Sequence, residues 1–367
     1  MKITEVRAIT CDIPLSRPIV MGELRYDSRD YILVEVRTDA GISGVGFGMG
    51  RYAPVARIVA RNLTPLLLGE DPLLTEQLWD RLYYRNLVIG QQGIFMRALS
   101  AIDIALWDIK GKVANLPVWQ LLGGARREIP AEVAGGYALP GRTLDDLGRE
   151  VAGYAERGFR MVKIAAGDIT EDTARLQVSR AALGTQAQLM YDAHWAWRDL
   201  FAVAPIVRGW DAFDLAWIED PFPSEFADLA PRLRAQTGIP LAIGEDYVGR
   251  WSFRELFRRG GVDVVRLDAT TMGGLSEAAR VCALAGAEGL PVSPHIFPEL
   301  HVHLGAAFPH VLAVEVTDPA QEIDVFYRLC RGTVEIQGGL VRAPATAGLG
   351  VDIDWAAVAR YAVEEAR

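Results

Sequence analysis

The chain has 367 residues, half of them hydrophobic and under a quarter charged, with a formal net charge of −9. That acidity argues against nucleic acid as a partner, because phosphate binding needs a basic face, while the apolar content supplies a large core and argues against disorder. No apolar stretch approaches the roughly 18–20 residues that span a membrane.

Taken in order, residues 3–13, 31–37 and 42–47 read as an antiparallel meander, with Thr38-Asp39-Ala40-Gly41 as one turn. Residues 14–30 and 48–54 read as two mobile loops. The run Gly44, Gly46, Gly48, Gly50 does not fit a phosphate-binding fingerprint and lacks a strand-to-helix context, so the expectation is a lid hinge. Apolar residues at helical spacing follow over 55–68, 75–87 and 98–113, and Leu122-Gly123-Gly124 closes this α+β region.

Residues 128–133 form the first strand of a second region, and seven short apolar runs follow it: 161–165, 188–194, 215–220, 241–246, 262–268, 290–295 and 311–316. Each ends in a residue able to do chemistry: Lys163, Asp192, Glu219, Glu245, Asp268, His295 and Glu315, spaced 20 to 29 residues apart. That spacing fits one strand, one helix and two loops, so the region reads as repeated βα units around a buried parallel sheet. In a (β/α)8 barrel the strand C-termini converge on one mouth and would bring these residues together. A further strand pair is expected at 333–336 and 340–342, with 344–354 running back over the first region. The expected division is a capping domain with lid loops at 1–127, a barrel at 128–319, and a C-terminal segment at 320–367 that packs on the cap.

Three carboxylates on adjacent strand ends, Asp192, Glu219 and Glu245, repel one another unless a cation joins them. An all-oxygen donor set favours Mg²⁺ over zinc. Asp268 and His295 end the next two strands, where the carboxylate can fix the imidazole tautomer and raise the basicity of its other nitrogen. Lys163 is one of four lysines and the sole one in the barrel stretch, and it suits binding a substrate carboxylate. Glu315 is expected to donate a hydrogen bond if protonated in the crowded anionic site. His194, two residues past Asp192, faces the mouth either as a second acid/base or as a contact for a hydroxyl. His301, His303 and His310 are expected to pack rather than react. Met21, Arg25, Tyr26 and Arg51 on the two lid loops are the candidate substrate contacts.

The segments ALSAIDIALWDIKGK (98–112), LLGG, WIEDP, AIGED, RLDATTMGG and VSPHIF, with the mouth residues in this order, resemble the enolase superfamily, specifically its mandelate racemase-like group. The resemblance spans essentially the whole chain. It implies an α/β fold, a modified TIM barrel of (β/α)7β type with an α+β N-terminal capping domain. It also implies Asp192, Glu219 and Glu245 as ligands of one Mg²⁺, His295 with Asp268 as the general-base dyad, and Glu315 as the group hydrogen-bonding the substrate carboxylate. In relatives strand two normally ends in Lys-x-Lys, whereas here it reads Lys163-Ile164-Ala165, so a two-base racemase of the usual form lacks one base. Asp-x-His on strand three resembles some sugar-acid dehydratases.

The expected activity is therefore Mg²⁺-dependent removal of the α-proton of a hydroxylated carboxylate, with dehydration of a sugar acid to a 2-keto-3-deoxy acid. Racemisation, epimerisation or cycloisomerisation of a related acid or lactone is the alternative, and a non-catalytic binding barrel is the reading from a different class. The expected partner is a small hydroxy-carboxylate, with neither nucleic acid nor membrane. Residues 1–7 lack the apolar core of a secretion signal, and Cys11, Cys282 and Cys330 are scattered without CxxC. These point to a cytoplasmic protein, and the resemblance implies a homo-oligomer.

Overall fold

A computed structural model describes residues 1–21, 24–139 and 141–367, with the side chains of residues 20, 21 and 24 outside the description. Strands β1 (Ile3–Met21), β2 (Leu24–Thr38) and β3 (Ser43–Met49) form the expected antiparallel sheet. The loop expected at 14–30 is instead mostly strand: after an irregularity between Pro14 and Ile19, pairing resumes at Ile19↔Tyr26 and Val20↔Arg25. Ser16, Arg17 and Pro18 interrupt the apolar alternation there, so a hydrophobic-pattern reading ends the strand before pairing resumes.

The helix Ile94–Ala114 lies across this sheet with most of its residues buried. Its approach explains the glycines of β3. A Cβ on Gly46 would lie 1.8 Å from the carbonyl oxygen of Ala101, and one on Gly44 would lie 2.1 Å from that of Ala105. The glycine run is thus a close-packing seam and not the lid hinge expected from sequence.

The second region is a ring of parallel strands: β4 (Glu128–Gly135), β5 (Met161–Ala165), β6 (Gln188–Asp192), β7 (Leu215–Glu219), β8 (Leu241–Ile243), β9 (Val264–Val265) and β10 (Val314–Thr317). The strand expected at 290–295 is reduced to Val292, which bridges Val265 on one side and Val311 on the other, and β10 closes the ring on β4. With seven helices between these eight strand positions, the architecture is (β/α)7β. The hairpin β11 (Glu335–Gln337) and β12 (Leu340–Arg342) pairs with the start of β4, and β13 (Ala362–Ala366) returns to pair with β1. Among the described residues no helix is long and apolar enough to cross a membrane.

Strand alternation sorts the barrel interior into layers. Met161, Met190, Trp217, Ala242, Val264 and Ala313 form a separate buried apolar cluster. Two residues further along five of these segments stand Lys163, Asp192, Glu219, Arg266 and Glu315, all buried. The apolar plug therefore underlies a charged floor.

The cap is pinned to the barrel beside this floor. Ser100 Oγ accepts from the backbone of Gly273 and Gly274 at 2.9 and 3.1 Å. Asp103 accepts from the Ser276 amide and hydroxyl at 2.9 and 2.6 Å, and Trp79 Nε1 donates to the Gly273 carbonyl at 2.8 Å. The loop that carries Asp268 is thereby clamped. Gly274, at φ +85°, would put a Cβ 2.3 Å from an Asp103 oxygen, so only glycine fits. On the other side His303 links three segments: its Nδ1 accepts from the Trp119 amide at 3.1 Å and its Nε2 donates to the Leu349 carbonyl at 3.0 Å. His301 and His310 are likewise held by backbone groups, as the packing reading expects.

Candidate active site

The floor layer is a network of buried charges. Lys163 Nζ lies 2.7 Å from Glu219, 3.3 Å from Glu315, 3.5 Å from Asp192 and 3.8 Å from Glu132. Burial and Arg266 oppose its charge, yet the surrounding acids outweigh them and keep the ammonium protonated. Arg266 is fully buried and reaches Glu132 at 3.2 Å, Glu219 at 3.1 Å, and Glu315. Its contact to Glu219 lacks the alignment of a hydrogen bond, leaving Arg266 Nε and Glu219 Oε2 unsatisfied. Burial would raise the pKa of Glu315, but Lys163 and Arg266 overcome it and hold the group well below the usual carboxylate range. Glu315 is therefore ionised and accepts from the Ile296 amide at 3.2 Å, which corrects the expectation of a protonated donor.

The acids at the strand ends fit a hard divalent cation by their donor chemistry. Glu219, Asp220 and Glu245 each place an oxygen within 4.8 Å of the others, and the buried Asp220 Oδ2 lacks a hydrogen-bond partner. This tight trio differs from the one expected from sequence. Asp192 is drawn aside by Lys163 and accepts from the His194 amide at 3.0 Å. Asp220 is buried with one oxygen on the Gly244 amide, whereas Asp192 and Glu245 line the open cavity. An ion reachable by substrate would thus sit on Asp192, Glu219 and Glu245, with Asp220 behind them.

His295 stands at the rim of these acids. Its Nδ1 is 3.1 Å from Asp268 Oδ2 and its Nε2 is 3.2 Å from Glu245 Oε2. Asp268 is oriented in turn by the Thr270 amide and hydroxyl, both 2.7 Å from its other oxygen. Burial resists ionisation of Asp268, but its hydrogen bond to His295 and the nearby imidazoles bring its pKa to about 2. Burial lowers the His295 pKa, and Glu245, Asp268 and Glu315 more than reverse this, lifting it to about 9. The left-handed turn at His194 (φ +53°) and Trp195 (φ +54°) brings His194 over the same cavity. Its position thus comes from a turn beyond the strand end, not from strand alternation, and burial keeps its pKa below the ordinary value.

The cavity has a volume of about 710 Å³. Asp192, Glu245, Asp268, His295 and His194 line it from the barrel, and Tyr26 and Arg51 from the cap. Lys163, Glu219 and Glu315 lie in the floor beneath. Arg25 is not part of it. It pairs with Asp27 at 2.8 Å on an exposed surface and lines a different groove, because neighbouring residues on β2 face opposite ways. The Met21 side chain lies outside the described residues. Sequence reasoning missed Arg97, Arg198, Asp246 and Thr271 in the cavity lining, and Glu132 and Arg266 in the floor. The signal available for three of them was a charge inside an otherwise apolar buried segment: EIPAEVAG, VDVVRLD and IFMRALSAI.

Comparison with known proteins matches residues 3–123 to the mandelate racemase / muconate lactonizing enzyme N-terminal domain and residues 146–357 to the enolase C-terminal domain-like family. D-galactarolactone cycloisomerase of Agrobacterium fabrum is 32% identical, over 98% of this chain and 99% of that protein. Arabinonate dehydratase of Saccharolobus solfataricus is 31% identical, over 88% of each. The crystal structure of L-talarate dehydratase from Polaromonas, complexed with Mg and L-glucarate, superposes with a TM-score of 0.88 at 31% identity, covering 100% of this chain and 98% of that one.

Proposed function

The chain belongs to the mandelate racemase / muconate lactonizing enzyme family of the enolase superfamily, and on that premise we propose that it is a Mg²⁺-dependent acid-sugar dehydratase. The observation that carries this reading is His295, braced by Asp268 and set beside the strand-end acids at a mouth where Ala165 replaces the second lysine. Asp192, Glu219 and Glu245 would hold the Mg²⁺, which supplies positive charge beside the substrate carboxylate as the α-proton leaves. Asp268 accepts from His295 Nδ1, and Mg²⁺ held on Glu245 would offset the carboxylate that keeps the imidazole protonated, leaving Nε2 as the base. The Cα–H bond breaks toward His295, the resulting enediolate expels its β-hydroxyl, and the proton on His295 leaves with it as water. The enol then becomes the 2-keto-3-deoxy acid. Lys163 and Arg266 offset the acids of the floor, Glu315 among them, and His194 contacts a hydroxyl.

Cycloisomerisation is the second reading, favoured by the Agrobacterium fabrum relative that matches nearly end to end. Both readings begin with the same proton abstraction. Proton NMR of the Mg²⁺-loaded protein in D₂O, with aldonic, aldaric and lactone substrates, separates them: a deoxy-keto product means dehydration, whereas ring opening or closure without loss of water means isomerisation. His295→Asn is expected to abolish both α-deuteration and product while keeping fold and Mg²⁺ binding. Unchanged turnover in that variant would remove the dyad from the mechanism.

The same proposal includes a cytoplasmic homo-oligomer. The three cysteines are free, and Leu87, Val88 and Ile89 form an exposed apolar run on the cap. Sedimentation showing monomer alone at assay concentrations would exclude the oligomer.

A further inference from the structure

The cavity above the floor is two-sided in charge. Its barrel side carries Asp192, Glu245, Asp246 and Asp268 together with the exposed Arg198, and its cap side carries the partly buried Arg51 and Arg97. Arg97 sits in the first turn of helix Ile94–Ala114 among Phe95, Met96, Ala98 and Leu99, all buried. Its guanidinium donates to the Met49 carbonyl at 3.0 Å and has no carboxylate at ion-pair distance among the described residues. Arg51 lies in the turn after β3, at φ +54°, and it too lacks an ion-pair partner among the described residues. The neighbouring Asp30 turns its carboxylate to the Tyr52 amide at 2.8 Å. Elsewhere on the cap Arg37 pairs with Glu5 and Glu35 and Arg81 with Glu70, and Arg29, Arg61 and Arg85, which have no ion pair among the described residues, do not line this cavity. Burial, followed by the charge of Arg51, lowers the Arg97 pKa, so the two cations are electrostatic neighbours. Two partly buried guanidiniums that line one cavity without an ion-pair partner favour an anion there, and a carboxylate is the shape their forked donors match.

We propose that Arg51 and Arg97 bind a second carboxylate of the substrate, so that the enzyme takes dicarboxylic sugar acids. This rests on the reading that the reacting carboxylate lies over the barrel acids. The far carboxylate then lies under the cap, and a chain ending there in a primary alcohol leaves both guanidiniums without their anion. Sites built to pair a polar group reject the analogue that lacks it.

The test uses galactarate against galactonate, and glucarate against gluconate, which differ within each pair only at C6. In the Mg²⁺-loaded wild type, kcat/KM is expected to favour at least one diacid over its monoacid by about tenfold or more. Arg97→Gln and Arg51→Gln should each lower that ratio, and Arg97→Lys should restore part of it. Equal kcat/KM within both pairs overturns the proposal. So does an equal loss on both members in the variants, which would mark Arg97 as a support for Met49 alone. Calorimetric binding of the same pairs to Mg²⁺-loaded His295→Asn separates this proposal from the reading beneath it. Preferential diacid binding that disappears with Arg97→Gln upholds the subsite even where the wild type exchanges no α-proton, an outcome that would sink the dehydratase reading alone. Equal binding within both pairs sinks the subsite, whatever the wild type catalyses.

Discussion

Replacing Arg266 by methionine tests the charged floor most directly. Methionine keeps much of the length of the arginine stem, so the perturbation is chiefly electrostatic. The guanidinium contacts Glu132, Glu219 and Glu315, and it also donates to the Ser293 carbonyl and hydroxyl at 3.0 and 3.1 Å. All three acids are buried. Without Arg266, Lys163 is left as the one cation among them in the described floor. Removing one partner of a buried ion pair costs about 3–5 kcal/mol, because the stranded charges remain desolvated. Glu132→Gln alongside Arg266→Met removes one stranded charge, while the side-chain amide can still pair with Ser293, which lies 2.7 Å from the carboxylate. The two substitutions should therefore couple by about 1–3 kcal/mol. Urea unfolding of the metal-free protein, followed by both circular dichroism and tryptophan fluorescence, measures each step. An Arg266→Met protein within about 1 kcal/mol of wild type, together with an additive double variant, would refute the claim that these charges form one network.

Three other outcomes follow from the same geometry. His303 is buried and neutral, with its pKa held at about 4 by burial against an ordinary 6.5. A base depressed on folding contributes stability that is present above pH 6.5 and lost as the pH falls toward 4. That loss is about 3 kcal/mol at most, so His303→Gln should flatten the acid limb of the urea midpoint, and an unchanged slope would contradict the assignment. Gly46→Ala, with its Cβ driven into the Ala101 carbonyl, should cost about 3 kcal/mol or prevent folding. Gly153→Ala, in a helix with open space around the new Cβ, should instead gain about 0.5–1 kcal/mol, and thermal melts distinguish the two. Finally, Mg²⁺ at a hundred times its Kd should raise stability by about 2.7 kcal/mol over EDTA-treated protein. Glu219→Gln should remove that increment, and a wild type insensitive to Mg²⁺ would overturn the metal assignment.

The fold class was legible because βα repetition imposes a period that survives local error. Helix and strand centres fall close to where the pattern places them, and the strand at 161–165 matches to the residue. The losses have physical causes. The β1–β2 arm is held by backbone pairing with little apolar patterning, and β13, reading AVEEA, carries two acids. The site was legible only as the last polar residue of each strand. Glu132 and Arg266 belong to the layer beneath, where the partner of a residue is set by strand tilt and register across the ring rather than by its neighbours in sequence. Even so, a charge in the middle of a doubly buried strand has to be compensated inside the barrel, and that rule alone would have flagged both.

The layering also accounts for the lysine that is missing from strand two. Lys163 faces inward at floor level, where Glu132, Asp192, Glu219 and Glu315 crowd together, and its charge answers theirs. Ala165, two residues on and therefore on the same inward face, has reached the cavity, which it lines without charge or proton. Below the cavity, then, a lysine serves the carboxylates of the protein. At cavity level His295 on one wall has no lysine opposite it on strand two, and the arginines that line the cavity are the exposed Arg198 from the barrel and Arg51 and Arg97 from the cap. A single base on one wall suits proton removal and return on the same face of the substrate. The arginines overhead suit a substrate anchored at both ends. The missing second lysine and the cap arginines therefore point the same way, toward elimination from a substrate held by its two termini.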